Sequence, residues 1–349
     1  MPKLFVTGAT GYIGGDALFA ILEAHPKYEI TCLVRNSTKG AAVAKQHPTV
    51  RLVYGDLDST NLLATEAAAA EIVCHFAHAD HEPSVEALVR GLASTHSTSK
   101  PGYLIHTSGT GSLSVYDAQA ELYGSYAEKT FSDTSDIAEL TSLPDTASHR
   151  NVEKAILASP PSVHTAIVSP PTIYGTGRGA GNRASDQVNK LAAHTLTRGR
   201  GFTVGDGENR WCEVHIADLS RLYVALVEAA AARGGHATWN AEGYYFAEAG
   251  EFAWEEVANA IARAAFDFGL IKTDDVQALT KEEVDEIEAA ETPLWGRNSR
   301  CRAERARELL GWRPVEKGLM ELVPEIVRGE AVRLGLLPEG HKAVAAGEA

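Results

Sequence analysis

The run Lys3-Leu-Phe-Val-Thr7 is apolar and partly β-branched. It feeds directly into Gly8-Ala-Thr-Gly11-Tyr-Ile-Gly14, and an apolar helical pattern follows at Ala17, Leu18, Ile21 and Leu22. That order is strand, glycine-rich turn, helix. Missing side chains let the turn tighten and let backbone N–H groups approach a pyrophosphate, which then rests at the positive end of the helix. Flanked by strand and helix, the motif stands where a dinucleotide fingerprint must stand.

Strand signals recur at Glu29–Val34, Val50–Tyr54, Ile72–Phe76, Tyr103–Thr107 and His164–Val168, with helical patterns between them. Such alternation predicts an α/β fold, a Rossmann doubly wound parallel sheet. Continuous apolar character in short strands fits burial on both faces. At 349 residues with 44% apolar composition, the chain has room for one large α/β unit and a smaller lobe. We expect a dinucleotide-binding Rossmann domain over 1–175, with 112–147 as an insert on the cleft side. Residues 176–338 are expected to hold a smaller C-terminal substrate lobe, with a return to the sheet near 203–242. Residues 339–349 are small and polar and read as a flexible tail.

The net charge of −14 argues against a nucleic-acid or anionic-membrane partner. No run of 18 apolar residues predicts a membrane span. The chain opens almost at once onto its first strand, so a cytoplasmic location is expected. Four widely spaced cysteines read as reduced thiols. The expected partners are a small-molecule substrate and, as a homodimer, a second copy of the chain.

The second strand ends at Val34, and Arg35 follows, 21 residues beyond Gly14. A carboxylate there would bind the ribose hydroxyls of NAD, whereas arginine accommodates the 2′-phosphate of NADP. NADP is therefore the expected cofactor, with Lys39 assisting. His75, His78 and His81 straddle a strand end and a loop with no flanking cysteine or carboxylate pair, so no metal site is expected.

The spacing Thr7-Gly8-x-x-Gly11-x-x-Gly14 resembles the extended short-chain dehydrogenase/reductase superfamily. That group holds sugar-nucleotide epimerases, dihydroflavonol-type reductases and NmrA-like proteins, and fungal epimerase-like members are the nearest in overall pattern. Further matches follow in order: Asp56-Leu57, His75-Phe76-Ala77, Thr107-Ser108-Gly109-Thr110, Ser169-Pro170-Pro171-Thr172-Ile173-Tyr174-Gly175, His215-x-x-Asp218 and Leu310-Gly311-Trp312-x-Pro314. The resemblance implies cofactor contacts from Gly8, Thr10, Gly11, Tyr12, Ile13, Gly14, Arg35, Asp56, Leu57, Phe76, Ala77, Thr107, Lys154, Pro170 and Ile173. It also implies a catalytic serine or threonine after the fifth strand. Ser108 and Thr110 are the candidates, and an epimerase-like alignment instead puts Gly109 or Thr110 at that place.

The main departure comes at Ser148-His149-Arg150-Asn151-Val152-Glu153-Lys154. Most members carry Tyr-x-x-x-Lys here. Lys154 matches the lysine, and the resemblance implies that it is catalytic and holds the nicotinamide ribose, but Arg150 stands in the tyrosine place, and arginine cannot deliver a proton near neutral pH. Tyr116, Tyr123 and Tyr126 in the insert, or His149, are the available substitutes. The expected activity is an NADP(H)-dependent oxidoreductase acting on a small organic carbonyl or unsaturated compound, with a role in secondary metabolism. The alternatives are an NAD(P)-using epimerase or dehydratase, and a non-catalytic NADP-sensing protein.

Overall fold

The computed structural model describes residues 1–338; the tail read at 339–349 lies outside them. Alternating elements open the chain: β1 (Lys3–Thr7), α1 (Tyr12–Ala24), β2 (Glu29–Val34), α2 (Ser37–Gln46), β3 (Arg51–Tyr54), α3 (Thr60–Ala68), β4 (Ile72–His75), α4 (Glu82–Thr95) and β5 (Gly102–Thr107). The insert carries α5 (Val115–Gln119), β6 (Phe131–Ser132) and α6 (Ile137–Leu140). Then come α7 (Arg150–Leu157), β7 (Val163–Ser169), β8 (Thr172–Tyr174), α8 (Gln187–Arg198), β9 (Gly201–Val204), β10 (Arg210–His215) and α9 (Ile216–Ala231). The remainder is β11 (Tyr244–Phe246), β12 (Gly250–Ala253), α10 (Trp254–Asp267), β13 (Val276–Leu279), α11 (Lys281–Glu288), α12 (Thr292–Gly296), β14 (Cys301–Arg302), α13 (Glu304–Leu309) and α14 (Leu319–Arg333).

Seven parallel strands form the main sheet in the order β11-β7-β5-β4-β1-β2-β3. The order reverses at β1/β4, the switch point beyond which such sheets bind ligands. β4 and β5 are buried at every residue, as helices on both faces require. α1 and α9 pack on each other, while α3, α4 and α7 stack in succession. The return to the main sheet expected near 203–242 is not made there: β9 pairs with β13 and β10 with β8 and β12, and the chain rejoins the sheet only at β11, beside β7.

A second apolar cluster lies in the C-terminal part. It joins Val188 and Leu191 of α8, Trp254, Val257 and Ile261 of α10, and Leu319, Val323 and Val327 of α14. α8 begins at Gln187, and residues 176–186 before it are loop. All four cysteines are free and buried. Among the described residues no helix is long and apolar enough to cross a membrane.

Candidate active site

β1 ends where the glycine turn starts. Gly8 has φ +78°, and a Cβ there would stand 2.7 Å from the Phe76 carbonyl carbon. A Cβ at Gly14 would stand 2.4 Å from the Gly8 carbonyl oxygen. Both positions therefore exclude side chains on packing grounds alone. Gly11 N–H donates to Gly8 O at 2.8 Å and closes the turn. Gly11 is also the N-cap of α1 and brings no capping side chain, so the first N–H groups of that helix are left for an anion.

From this turn a cleft of about 620 Å³ runs across the carboxyl ends of four neighbouring strands. Gly8, Thr10 and Gly11 line it after β1, Arg35 and Lys39 after β2, Asp56 and Leu57 after β3, and Phe76 and Ala77 after β4. The Ser59 hydroxyl donates to Asp56 at 2.7 Å and holds that carboxyl below its ordinary range. A smaller cleft of about 270 Å³ shares Phe76 and adds Tyr12, Ile13, Pro171 and Ile173. The pair suits a dinucleotide: cations at one end, N–H groups in the middle and an apolar wall at the other.

The loop after β8, Gly175–Gly181, is pinned to the first helix. Asp16 on α1 is fully buried and accepts from Arg178 N at 2.7 Å, Nε at 3.0 Å and Nη2 at 2.8 Å, and from the Ser220 hydroxyl at 2.6 Å. Tyr12 donates its hydroxyl to Gly175 O at 2.6 Å, and Asn182 N donates to Thr10 O at 3.0 Å. Asn182 thereby joins the cleft lining. The signal was present: a carboxylate inside an apolar helical stripe needs a partner.

Several expected site residues lie elsewhere. The Thr107 hydroxyl pairs with Tyr223 of α9 at 2.6 Å in the core. Pro170 is buried and accepts from Thr110 N at 3.1 Å; its neighbour Pro171 lines the cleft instead. Ser108 donates to Glu153 at 2.7 Å, and Thr110 is fully buried. The three insert tyrosines are engaged away from the cleft. Tyr116 donates to Glu139, while Tyr123 and Tyr126 accept from Arg297 and Arg300. β6 pairs with β14, tying the insert to the C-terminal region. His75, His78 and His81 take separate partners: Thr7, the Asp80 N–H and Asp58. Burial pushes His75 down to about 3.

The largest correction concerns α7. The Lys154 side chain is 50% exposed and donates to Asp145 at 2.8 Å, which is itself 78% exposed. Arg150 is buried and donates to Thr141 O. Val152, Glu153 and Ile156 turn inward, and Glu153 accepts from the Ser108 and Tyr244 hydroxyls. Burial raises the Glu153 carboxyl, and those hydrogen bonds only partly oppose it. Each helical step turns about 100°, so a one-residue shift of register exchanges lysine for glutamate on the inward face. Lys154→Met is therefore expected to change folding stability by less than about 0.5 kcal/mol, as for an exposed ion pair, and to leave dinucleotide affinity unchanged by calorimetry. A large loss of affinity would return the lysine to the site.

The switch-point cleft, the glycine turn and the strand order define a nicotinamide-dinucleotide-binding Rossmann protein. The model of the NAD dependent epimerase/dehydratase family matches residues 4–241, and the chain belongs to that family. It is 40% identical over 345 residues to the protein called Oxidase ucsJ of Acremonium sp., covering 96% of this chain and 99% of the other. Its fold is similar to UDP-glucose 4-epimerase with UDP-glucose from Thermotoga maritima (TM-score 0.63, 16% identity, 96% and 100% coverage). It is also similar to DesIV, a dTDP-glucose 4,6-dehydratase from Streptomyces venezuelae with NAD bound (TM-score 0.64, 20% identity, 96% and 99% coverage). The family uses a nicotinamide cofactor, and the chain is of an NAD(P)-dependent, oxidoreductase-like kind.

Proposed function

We propose that the chain is an NADP(H)-dependent oxidoreductase acting on a small organic carbonyl or unsaturated compound, with a role in secondary metabolism. The carrying observation is the end of β2, where Arg35 and Lys39 face one cleft. Two cations there complement a 2′-phosphate. The relative named as an oxidase supports redox chemistry on a substrate. When bound, the nicotinamide supplies or accepts hydride. The chain's own residues do the rest. The first-turn N–H groups of α1 would hold the pyrophosphate, Asp56 and Leu57 would hold the adenine end, and Phe76, Pro171 and Ile173, which line the clefts, would keep water from the reacting end.

A second reading, a non-catalytic dinucleotide sensor, is favoured by the absent motif tyrosine and the outward Lys154. Calorimetric titration of the full chain tests the cofactor. NADPH is expected to bind more tightly than NADH by about tenfold or more, the scale of one charge-assisted contact to phosphate. Equal or tighter NADH binding refutes the assignment.

A further inference from the structure

We infer that His149, held by Asp80, is the acid–base residue of this site and carries the proton that a motif tyrosine carries elsewhere. This rests on the oxidoreductase reading above.

Position comes first. Asp80 lies in the loop after β4, and His149 immediately precedes α7, in the segment that follows β5. Nδ1 of His149 and Oδ1 of Asp80 are 2.7 Å apart. The opposite ring nitrogen, Nε2, lies 3.2 Å from where a Cβ at Gly109 would stand, just beyond the end of β5. The ring therefore bridges the carboxyl ends of β4 and β5, which are paired neighbours. The cleft crosses β3, β2 and β1 before reaching β4, with its cationic end at β2. The reacting half of a dinucleotide laid along it falls at the β4 side.

Most competing groups are occupied, and Thr110, whose hydroxyl has no partner among the described residues, is sealed in the core. Ser108 is bound to Glu153, Lys154 to Asp145, and the insert tyrosines to Glu139, Arg297 and Arg300. His75 and His106 are sealed in the core, and burial holds both imidazoles neutral. His149 keeps 22% of its side chain exposed, so it can exchange protons with solvent. Its φ is +65°, a left-handed conformation that a non-glycine residue adopts at a cost.

The chemistry is consistent. Imidazole exchanges protons near neutral pH, and a carboxylate on Nδ1 fixes which nitrogen is free. The His149 hydrogen bond holds Asp80 below its ordinary range, so the carboxylate stays charged. The other groups near this pair are His78 on the same loop, His106 near the end of β5, Glu153 on α7, and Asn151, whose amide donates to the Asp80 carbonyl and to Glu82. In the reducing direction the carbonyl carbon gains hydride and the C=O π pair moves to oxygen. Oxygen then takes the proton from Nε2, imidazolium becomes imidazole, and solvent returns the proton. Oxidation is the reverse. Asp80 is a positioning residue in both.

The test uses the full chain. Diethyl pyrocarbonate carbethoxylates accessible imidazoles, and peptide mass spectrometry reads each histidine separately. His149 should react in the free chain and be slowed about tenfold or more by saturating NADPH, or NADH if only that binds, since the proposal sets the ring beside the bound dinucleotide. With a panel of aldehydes and quinones, His149→Gln should lower kcat about 100-fold, the usual scale of general acid catalysis, while dinucleotide affinity holds. Asp80→Asn should lower kcat, and Asp80→Glu should recover part of the loss. A His149 that is unreactive, or equally reactive with bound dinucleotide, overturns the inference, as does turnover indifferent to His149→Gln. A chain that binds neither dinucleotide fails the parent reading and this one together. Dinucleotide binding with no turnover anywhere in the panel favours the sensor and removes the reaction the proton would serve.

Discussion

Asp16→Ala is expected to lower folding stability by roughly 3 kcal/mol, the lower end of the range for breaking a buried ion pair. The lower end applies because the Arg178 side chain is 33% exposed and recovers some hydration. The carboxylate itself is fully buried and accepts four hydrogen bonds, three from Arg178 and one from Ser220. Alanine leaves all four donors without their acceptor. A domain of this kind is stable by only about 5–15 kcal/mol, so the loss is a large fraction of the whole. The site should suffer too, since this contact holds the loop whose Asn182 lines the cleft. Burial pushes the Asp16 carboxyl up, but the hydrogen bonds from Arg178 and Ser220 outweigh it and the net shift is downward. The contribution is therefore present above the unfolded value near pH 4 and is lost as pH falls through the lower folded value. Urea unfolding should show a gap between wild type and variant at pH 7 that narrows in acid. A gap below about 1 kcal/mol at pH 7, the net worth of one ordinary hydrogen bond, would mean that the pair contributes little.

The part of the cleft lined from β1, β2 and β3 was legible because contiguous backbone patterns carry it. Lys3–Thr7 had to be a strand, Gly8 to Gly14 a turn, and the residue after Val34 had to face whatever lies over β2. The far half depends on partners distant in sequence. Asp16 and Arg178 are 162 positions apart, and no local period reports such a pairing. The error at α7 has another origin. Matching Lys154 to a motif fixed its place in the chain but not its angle around the helix. Val152 and Ile156, four apart and both buried, mark the inward face, with Glu153 between them in sequence and one turn beyond His149. Read for that stripe first, the segment would have offered Glu153 rather than Lys154. The insert misled for a related reason. Its tyrosines are near the cleft in sequence order, yet β6 pairs with β14 and Asp117 accepts from Asn298, so Tyr123 and Tyr126 meet C-terminal arginines while Tyr116 stays within the insert on Glu139.

Arg35→Asp should reverse cofactor preference. Arg35 is exposed at the end of β2, beside Lys39 and in the same cleft as Asp56. Its guanidinium is a planar fork suited to two parallel bonds with a phosphate. Aspartate removes those bonds, worth about 1.5–3 kcal/mol for a charged partner, and adds repulsion against a dianion. The two effects together should weaken NADPH by about 100-fold or more. NADH has no 2′-phosphate to lose. Its ribose hydroxyls gain a carboxylate acceptor, so its affinity should hold or rise. Lys39 remains in the variant, so Arg35→Asp with Lys39→Ala should widen the change further. Because Arg35 is exposed, salt should also act on it. The wild-type preference for NADPH should shrink as ionic strength rises past about 0.1 M, where the Debye length is about 10 Å. Paired titrations with NADPH and NADH at two salt concentrations decide the matter. If both dinucleotides weaken by the same factor, Arg35 supports the loop rather than reading the phosphate.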